Sequence, residues 1–308
     1  MSMNSIPLDN IKPHFSGHET FPLRHAWIPK ALPLVEKQRD ILFNLEELMI
    51  TMGIGKNMAK SVRHWLEATS LVNPPTDNGH DLSEIGRIIL SDDGDMYLEK
   101  SMSIWLLHFL LTSNFTKATS WYFLFNVYPN RTFTKERLQE AVIAWCRELD
   151  LPVPSANTLK RDIQALVGMY SSSAQTREKD LQAILASPMR ELNLLTDHYE
   201  DGSIVYSFRH VAPGEISEDV FSFSLLYYLE SIGLPESISF AEILEAYGSP
   251  ARIFRFSENL LAKYLLSFGR RSDHPYKYNT TAGTKQLLKS RFEGFSIESF
   301  LASIYEGN

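Results

Sequence analysis

The N-terminal run HFSGHETFPLR (His14 to Arg24) concentrates the side chains best suited to metal or acid–base work. His14, His18 and His25 with Glu19 supply three imidazoles and a carboxylate, a metal-ligand assortment. No HExxH or cysteine-rich spacing accompanies them, so neither a metal nor a cofactor is expected here. Gly17 and Pro22 argue against a continuous helix, and in a looped segment His18 and Glu19 more often tie backbone down. The GxGK of Gly53 to Lys56 is not a phosphate loop, because Ile50 and Asn57 stand where a Walker A loop needs Gly and Ser/Thr. The lone Cys146, between Trp145 and Arg147, excludes a disulfide framework and a multi-cysteine zinc site and reads as a buried structural thiol.

A second chemistry is nucleic-acid recognition. Asn44 to Met52 has Leu45, Leu48 and Met49 at helical spacing, and Gly53 and Gly55 then allow a turn. From Asn57 the period returns, with Met58, Val62, Trp65 and Leu66 as an apolar stripe. Lys56, Asn57, Lys60, Ser61, Arg63 and His64 are left for the other face, the polar mixture of a major-groove reading helix. An amphipathic helix whose charges merely meet water has the same pattern. Asp77-Asn78-Gly79 then signals a hairpin, and Glu84 to Leu90 another helix, the order of a winged-helix domain. That hairpin is not basic, which counts against it as a phosphate-gripping wing.

Charge points the same way, though weakly. The chain carries −7 overall, but Pro250 to Arg291 holds nine Lys and Arg against Glu258 and Asp273. An acidic body with a basic C-terminal portion is a pointer to polyanion binding, with Arg252, Arg255, Lys277 and Lys285 as candidate phosphate contacts. Docking of that portion on an acidic surface, in the fold or on a partner, fits equally well.

The remaining elements position these groups. The 308 residues, 44% hydrophobic and 22% charged, suit a globular protein of two or three domains. Residues 1–13 read as a loose tail without a signal-peptide pattern, and no apolar run reaches the ~20 residues that a bilayer needs, so a cytoplasmic location is expected. Met102 to Tyr128 reads as two short aromatic helices. Thr134 caps a helix to about Leu149 and Ser155 caps another, with Leu159, Ile163, Leu166 and Tyr170 inside and Asn157, Lys160, Arg161 and Gln164 outside. This pair resembles a further helix-turn-helix, and the hairpin around Asp201-Gly202 could be its wing, loosely joined through Ser171 to Met189. Val220 to Ile232 is a helix, Ser239 to Glu242 a capping box, Tyr276 to Tyr278 a strand, and TTAGTKQLL (Thr280 to Leu288) the opening of a last helix. The expected fold is mostly α with short β-hairpins: a module at 14–100, a helical middle at 101–235, and a basic module at 236–308. The first and last share an order of helix, turn, helix and hairpin, suggesting winged-helix-like modules at both ends.

FSGHETFPLR (Phe15 to Arg24), GIGKNM (Gly53 to Met58) and SVRHWLEA (Ser61 to Ala68) together resemble the bacterial domain-of-unknown-function 4007 family. WLLHFLL (Trp105 to Leu111), WYFLFN (Trp121 to Asn126), SPMREL (Ser187 to Leu192) and TTAG (Thr280 to Gly283) are similar to its later blocks. The resemblance implies no activity. It implies a genomic setting, beside sulfur-transfer enzymes related to phosphoadenylylsulfate reductases and within phage-defence or DNA-modification islands. Gly17, His18, Glu19, Thr20 and Arg24 form its distinctive motif, of unassigned role. Three functions stay open: a non-catalytic component that binds double-stranded DNA and a protein partner of such a system, an adaptor or transcriptional regulator, and an enzyme built on His18 and Glu19.

Overall fold

The computed structural model describes residues 12–171, 187–290 and 294–307. Most of the expected tail and of the Ser171 to Met189 connection lie outside them. The chain divides into two compact units, one ending at Arg209 and the other beginning at His210.

The first unit opens with α1 (Trp27–Lys37), α2 (Leu45–Met52), α3 (Lys56–Ala68) and α4 (Glu84–Leu90). Asn44 caps α2 by accepting from the Glu47 N–H at 3.3 Å. Gly53 ends it at φ +65°, the left-handed conformation that costs glycine nothing, whereas Gly55 is extended and serves as N-cap of α3. The expected hairpin is reduced to two isolated bridges, Val72 to Leu82 and Thr76 to Gly79. Helix α5 (Ser101–Ser113) is buried from Ser103 to Thr112, so it lacks an amphipathic face and forms the unit's centre. Helix α6 (Thr119–Tyr122) runs into a π-helical turn, Phe123–Val127.

The unit closes with β1 (Thr132–Phe133), α7 (Lys135–Glu148), α8 (Ala156–Tyr170), β2 (Leu195–Glu200) and β3 (Ser203–Phe208). Thr134 and Ser155 cap the two helices as expected. Asp201 and Gly202 both take positive φ, giving the tight turn that joins β2 to β3. The sheet is antiparallel in the order β1-β3-β2.

The second unit holds α9 (Glu218–Ser231), β4 (Ser237–Ser239), α10 (Phe240–Glu245), α11 (Pro250–Ile253), α12 (Glu258–Arg270), β5 (Tyr276–Asn279), β6 (Gln286–Lys289) and α13 (Ile297–Glu306). The capping box forms, Ser239 Oγ accepting from Glu242 N–H while the Glu242 carboxylate accepts from Ser239 N–H. One expectation fails here. Thr281–Gly283 makes only a 3₁₀ turn and Gln286–Lys289 is the central strand, not a helix. Pairing with β4 on one side and β5 on the other satisfies its backbone, and that tertiary gain outweighs the local helical pattern. The order, β4-β6-β5, repeats that of the first sheet. The middle and C-terminal modules thus share a sheet order.

Both halves are mostly helical with small antiparallel sheets, as the sequence led us to expect. Among the described residues no helix is long and apolar enough to cross a membrane.

Candidate functional site

The His14–Arg24 segment is a loop, and its backbone is unusual. Ser16, Gly17, Glu19 and Thr20 all have positive φ, from +48° to +88°, a conformation that costs non-glycine residues energy unless their surroundings enforce it. The enforcement comes from three helices. From α8, Asp162 Oδ1 accepts the Ser16 N–H at 2.8 Å and lies 2.9 Å from His18 Nε2, and its Oδ2 accepts from Ser120 Oγ at 2.8 Å. His18 Nδ1 accepts the Thr20 N–H at 3.1 Å, so Nε2 carries the proton and donates to Asp162. From α3, Trp65 Nε1 donates to Phe21 C=O at 3.0 Å. His14 N–H donates to Thr119 Oγ1 at the start of α6.

His18 and Asp162 are each 1% exposed. The imidazole stacks on Trp65 and meets Trp121 edge-on, with centroids 5.8 and 5.7 Å away. Both ring nitrogens are engaged, and the carboxylate accepts three hydrogen bonds. The pair is closed to solvent and ties the loop to α8 and α6.

Asp162 was missed in the sequence, although a signal existed. It sits three residues after Leu159 and four before Leu166, on the apolar stripe of α8, where a carboxylate must find a partner. Glu67 is a second such group. Its carboxylate receives His80 at 3.0 Å and the Lys117 ammonium. Burial pushes this carboxyl up, but hydrogen bonds from His80 and Lys117 outweigh it and hold the pKa at about 2.

Helix α3 departs from its expected orientation. Ser61 and His64, assigned to the outward polar face, are buried. Ser61 Oγ turns to Phe21 C=O, while His64 packs 5.9 Å from both His14 and His18, because the loop covers that side of the helix. Burial, with His18 and His14 adding like charge, pushes His64 down to about 3, so it is neutral at physiological pH. Lys56 and Asn57 are exposed, Lys60 and Arg63 half-buried, and Lys60 pairs with Glu19 at 3.2 Å. Arg24 lies over Phe21 and Trp27. No group of three or more His, Cys, Asp or Glu among the described residues is placed to hold a metal ion.

In the second unit the basic residues are dispersed. Arg252 lies over the Tyr247 ring and Lys285 over Phe240, while Arg255 is half-buried at φ +53°. Lys277 donates to Arg271 C=O, and Arg271 itself pairs with Asp219 and Asp273. Much of the +7 expected from composition is thus engaged within the unit.

This architecture is that of a two-unit, helix-rich protein with repeated small sheets and a buried histidine tie. The family model described as "Protein of unknown function (DUF4007)" matches residues 15–305, and the chain belongs to that family. None of the curated proteins matches the sequence. Among solved structures, the chain is similar to one titled "SspB crystal structure", with TM-score 0.79, 26% identity, and 94% of this chain and 86% of that one covered. A second, "Magnesium ion-bound SspB crystal structure", has TM-score 0.81 at 24% identity, covering 98% and 96%, and shares the fold.

Proposed function

We propose that the protein is a non-catalytic DNA-binding component of a DNA-modification or phage-defence system, using winged-helix modules on duplex DNA. The observation that carries this is the repeated order β1-β3-β2 and β4-β6-β5, the first sheet following a strand–helix–helix–strand–strand path and the second the same path with the short α11 added between its two longer helices. Strand, two helices and a returning hairpin is the winged-helix arrangement, in which the second helix enters the major groove. The genomic setting that the family resemblance implies supplies the DNA-modification context, and membership of the family supports it.

Lys56, Asn57, Lys60 and Arg63 of α3 would contact one stretch of duplex. Arg252, Arg255, Lys277 and Lys285 would neutralise phosphates of another. A partner enzyme would engage the acidic remainder. The adaptor reading is favoured by one observation, the internal pairing of Arg271 and Lys277 in the basic portion.

Binding of mixed duplexes at two salt concentrations tests the proposal. DNA binding requires affinity that falls steeply with salt, and Lys60→Ala with Arg63→Ala should flatten the slope by about two charges. Absence of binding at low salt removes DNA and leaves the adaptor.

A further inference from the structure

We infer that α8 of the middle module is the helix that reads base sequence, through Asn157, Lys160, Arg161 and Gln164. This rests on the proposed DNA-binding function and assigns its specificity to a surface outside α3.

Three helices follow a turn and expose a polar face, and they differ in what that face holds. On α3 the covering loop leaves a strip of Lys56, Asn57, Lys60 and Arg63, flanked by the Glu19 and Glu67 carboxylates that pair with Lys60 and Lys117. On α12 the exposed stripe is Asn259, Lys263, Leu266 and Arg270, with Leu266 48% exposed and Glu258 at its start. On α8 all four of Asn157, Lys160, Arg161 and Gln164 are exposed. They fall at i, i+3, i+4 and i+7, one continuous stripe along ~10 Å of helix, the reach of about three base pairs.

That stripe contains no carboxylate. The one acidic residue of α8, Asp162, points inward to His18. Neither Lys160 nor Arg161 makes an ion pair among the described residues. Gln164 accepts from Lys135 Nζ at 2.5 Å, which leaves its amide N–H groups to donate.

The residue types match what base edges offer. Asn and Gln amides pair bidentately with adenine, and Arg and Lys donate to guanine O6 and N7. A reading helix must also be held rigidly, and Asp162 fixes the middle of α8 to Ser16, His18 and Ser120 from behind. The neighbouring hairpin is unsuited to gripping phosphate, since its turn is Glu200-Asp201-Gly202. Backbone positioning is then left to cations elsewhere, such as those of α3.

The test is selection from a random-duplex pool with the full chain, followed by affinity measurements on the enriched sequence and on a scrambled one. Asn157→Ala/Lys160→Ala/Arg161→Ala/Gln164→Ala changes only exposed side chains, so its melting temperature should stay at the wild-type value. It should lose at least about thirtyfold in affinity for the enriched duplex, and should bind both duplexes alike. Lys60→Ala/Arg63→Ala should weaken both duplexes equally and keep the preference. Retained preference in the α8 variant overturns this assignment while leaving DNA binding in place. Failure of the wild type to bind any duplex overturns both, as does tighter binding to duplex RNA of the same sequence.

Discussion

The middle and C-terminal modules use the same helix in two ways. Helix α8 begins after Ser155 with Asn157 at its second position, and α12 begins after Ser257 with Asn259 at the equivalent one. Seven residues in, both helices send a polar side chain inward. In α8 it is Asp162, which gathers Ser16 N–H, His18 and Ser120; in α12 it is Tyr264, which donates to Ile216 C=O. Each grips a segment earlier in its own unit. Tyr264 does so from an aromatic nest of Phe221 and Phe256, at 4.9 and 5.0 Å, whereas Asp162 relies on charge and hydrogen bonds. An aromatic anchor can lose its hydroxyl and still pack. A buried carboxylate has nothing to fall back on.

The largest expected effect follows from that contrast. Asp162→Ala leaves His18 and Ser16 N–H without acceptors in a dry site and should cost about 3–5 kcal/mol. Tyr264→Phe should cost about 1 kcal/mol. Thermal unfolding of both variants measures the difference. Similar losses would mean that the two anchors are equivalent and the polar tie is not special.

The sequence exposed this contrast only in part. Caps at Thr134, Ser155 and Ser239 were legible because each acts within three residues of itself. The buried state of Ser61 and His64 was not, since it depends on a loop some 40 residues away folding over α3. For the same reason His18 looked solitary, its partner lying 144 residues on. The strand at Gln286–Lys289 was read as a helix because its β-character comes from two neighbours, not from its own residues. The repeat was visible as order without identities and was placed at the two ends; the shared sheet order of the middle and C-terminal modules was not legible, because it depends on strand pairing across each unit.

Acid should discriminate the units next. Burial lowers His64 and His108 to about 3 in the first unit and His274 to about 4 in the second. An imidazole that titrates near 6.5 when unfolded and much lower when folded gives its full stability above 6.5. That stability is lost as pH falls toward the folded value. At pH 5 each costs on the order of 2 kcal/mol, so the first unit should lose about twice what the second does. The Glu67 carboxylate adds nothing to this until pH drops below about 4.5, after which its contribution fades toward the folded pKa of about 2. Hydrogen exchange at pH 7 and pH 5, corrected for intrinsic rates, reads the units separately. Equal loss of protection in the two units would refute the ordering.

Gly17→Ala gives a smaller effect confined to the first unit. Its φ is +88°, and an added Cβ would lie 2.6 Å from His64 Nδ1 and 2.8 Å from His14 Nε2. Strain and overlap together should cost about 2 kcal/mol, with fluorescence of Trp65 and Trp121 altered because both rings touch His18. An unchanged melting temperature would show that the loop can move away from α3, and that its positive-φ run is not held as tightly as its hydrogen bonds imply.

The smallest effect asks whether the two modules are equivalent anywhere. Ser155 accepts from Thr158 N–H at 3.1 Å and Ser257 from Leu260 N–H at 3.3 Å, so the same local bond opens both helices. Replacing either serine by alanine should cost about 1 kcal/mol. Because capping depends on the first turn alone, the two losses should match, even though the helix interiors are anchored so differently. A larger loss for Ser155→Ala would mean that the start of α8 depends on the cap in a way that Asp162, two turns further in, does not relieve. That would place the rigidity of the proposed reading face in its first turn, beside Asn157, and would make Ser155→Ala weaken sequence preference as well as stability. Matching losses with intact preference would leave the Asp162 anchor as the source of that rigidity.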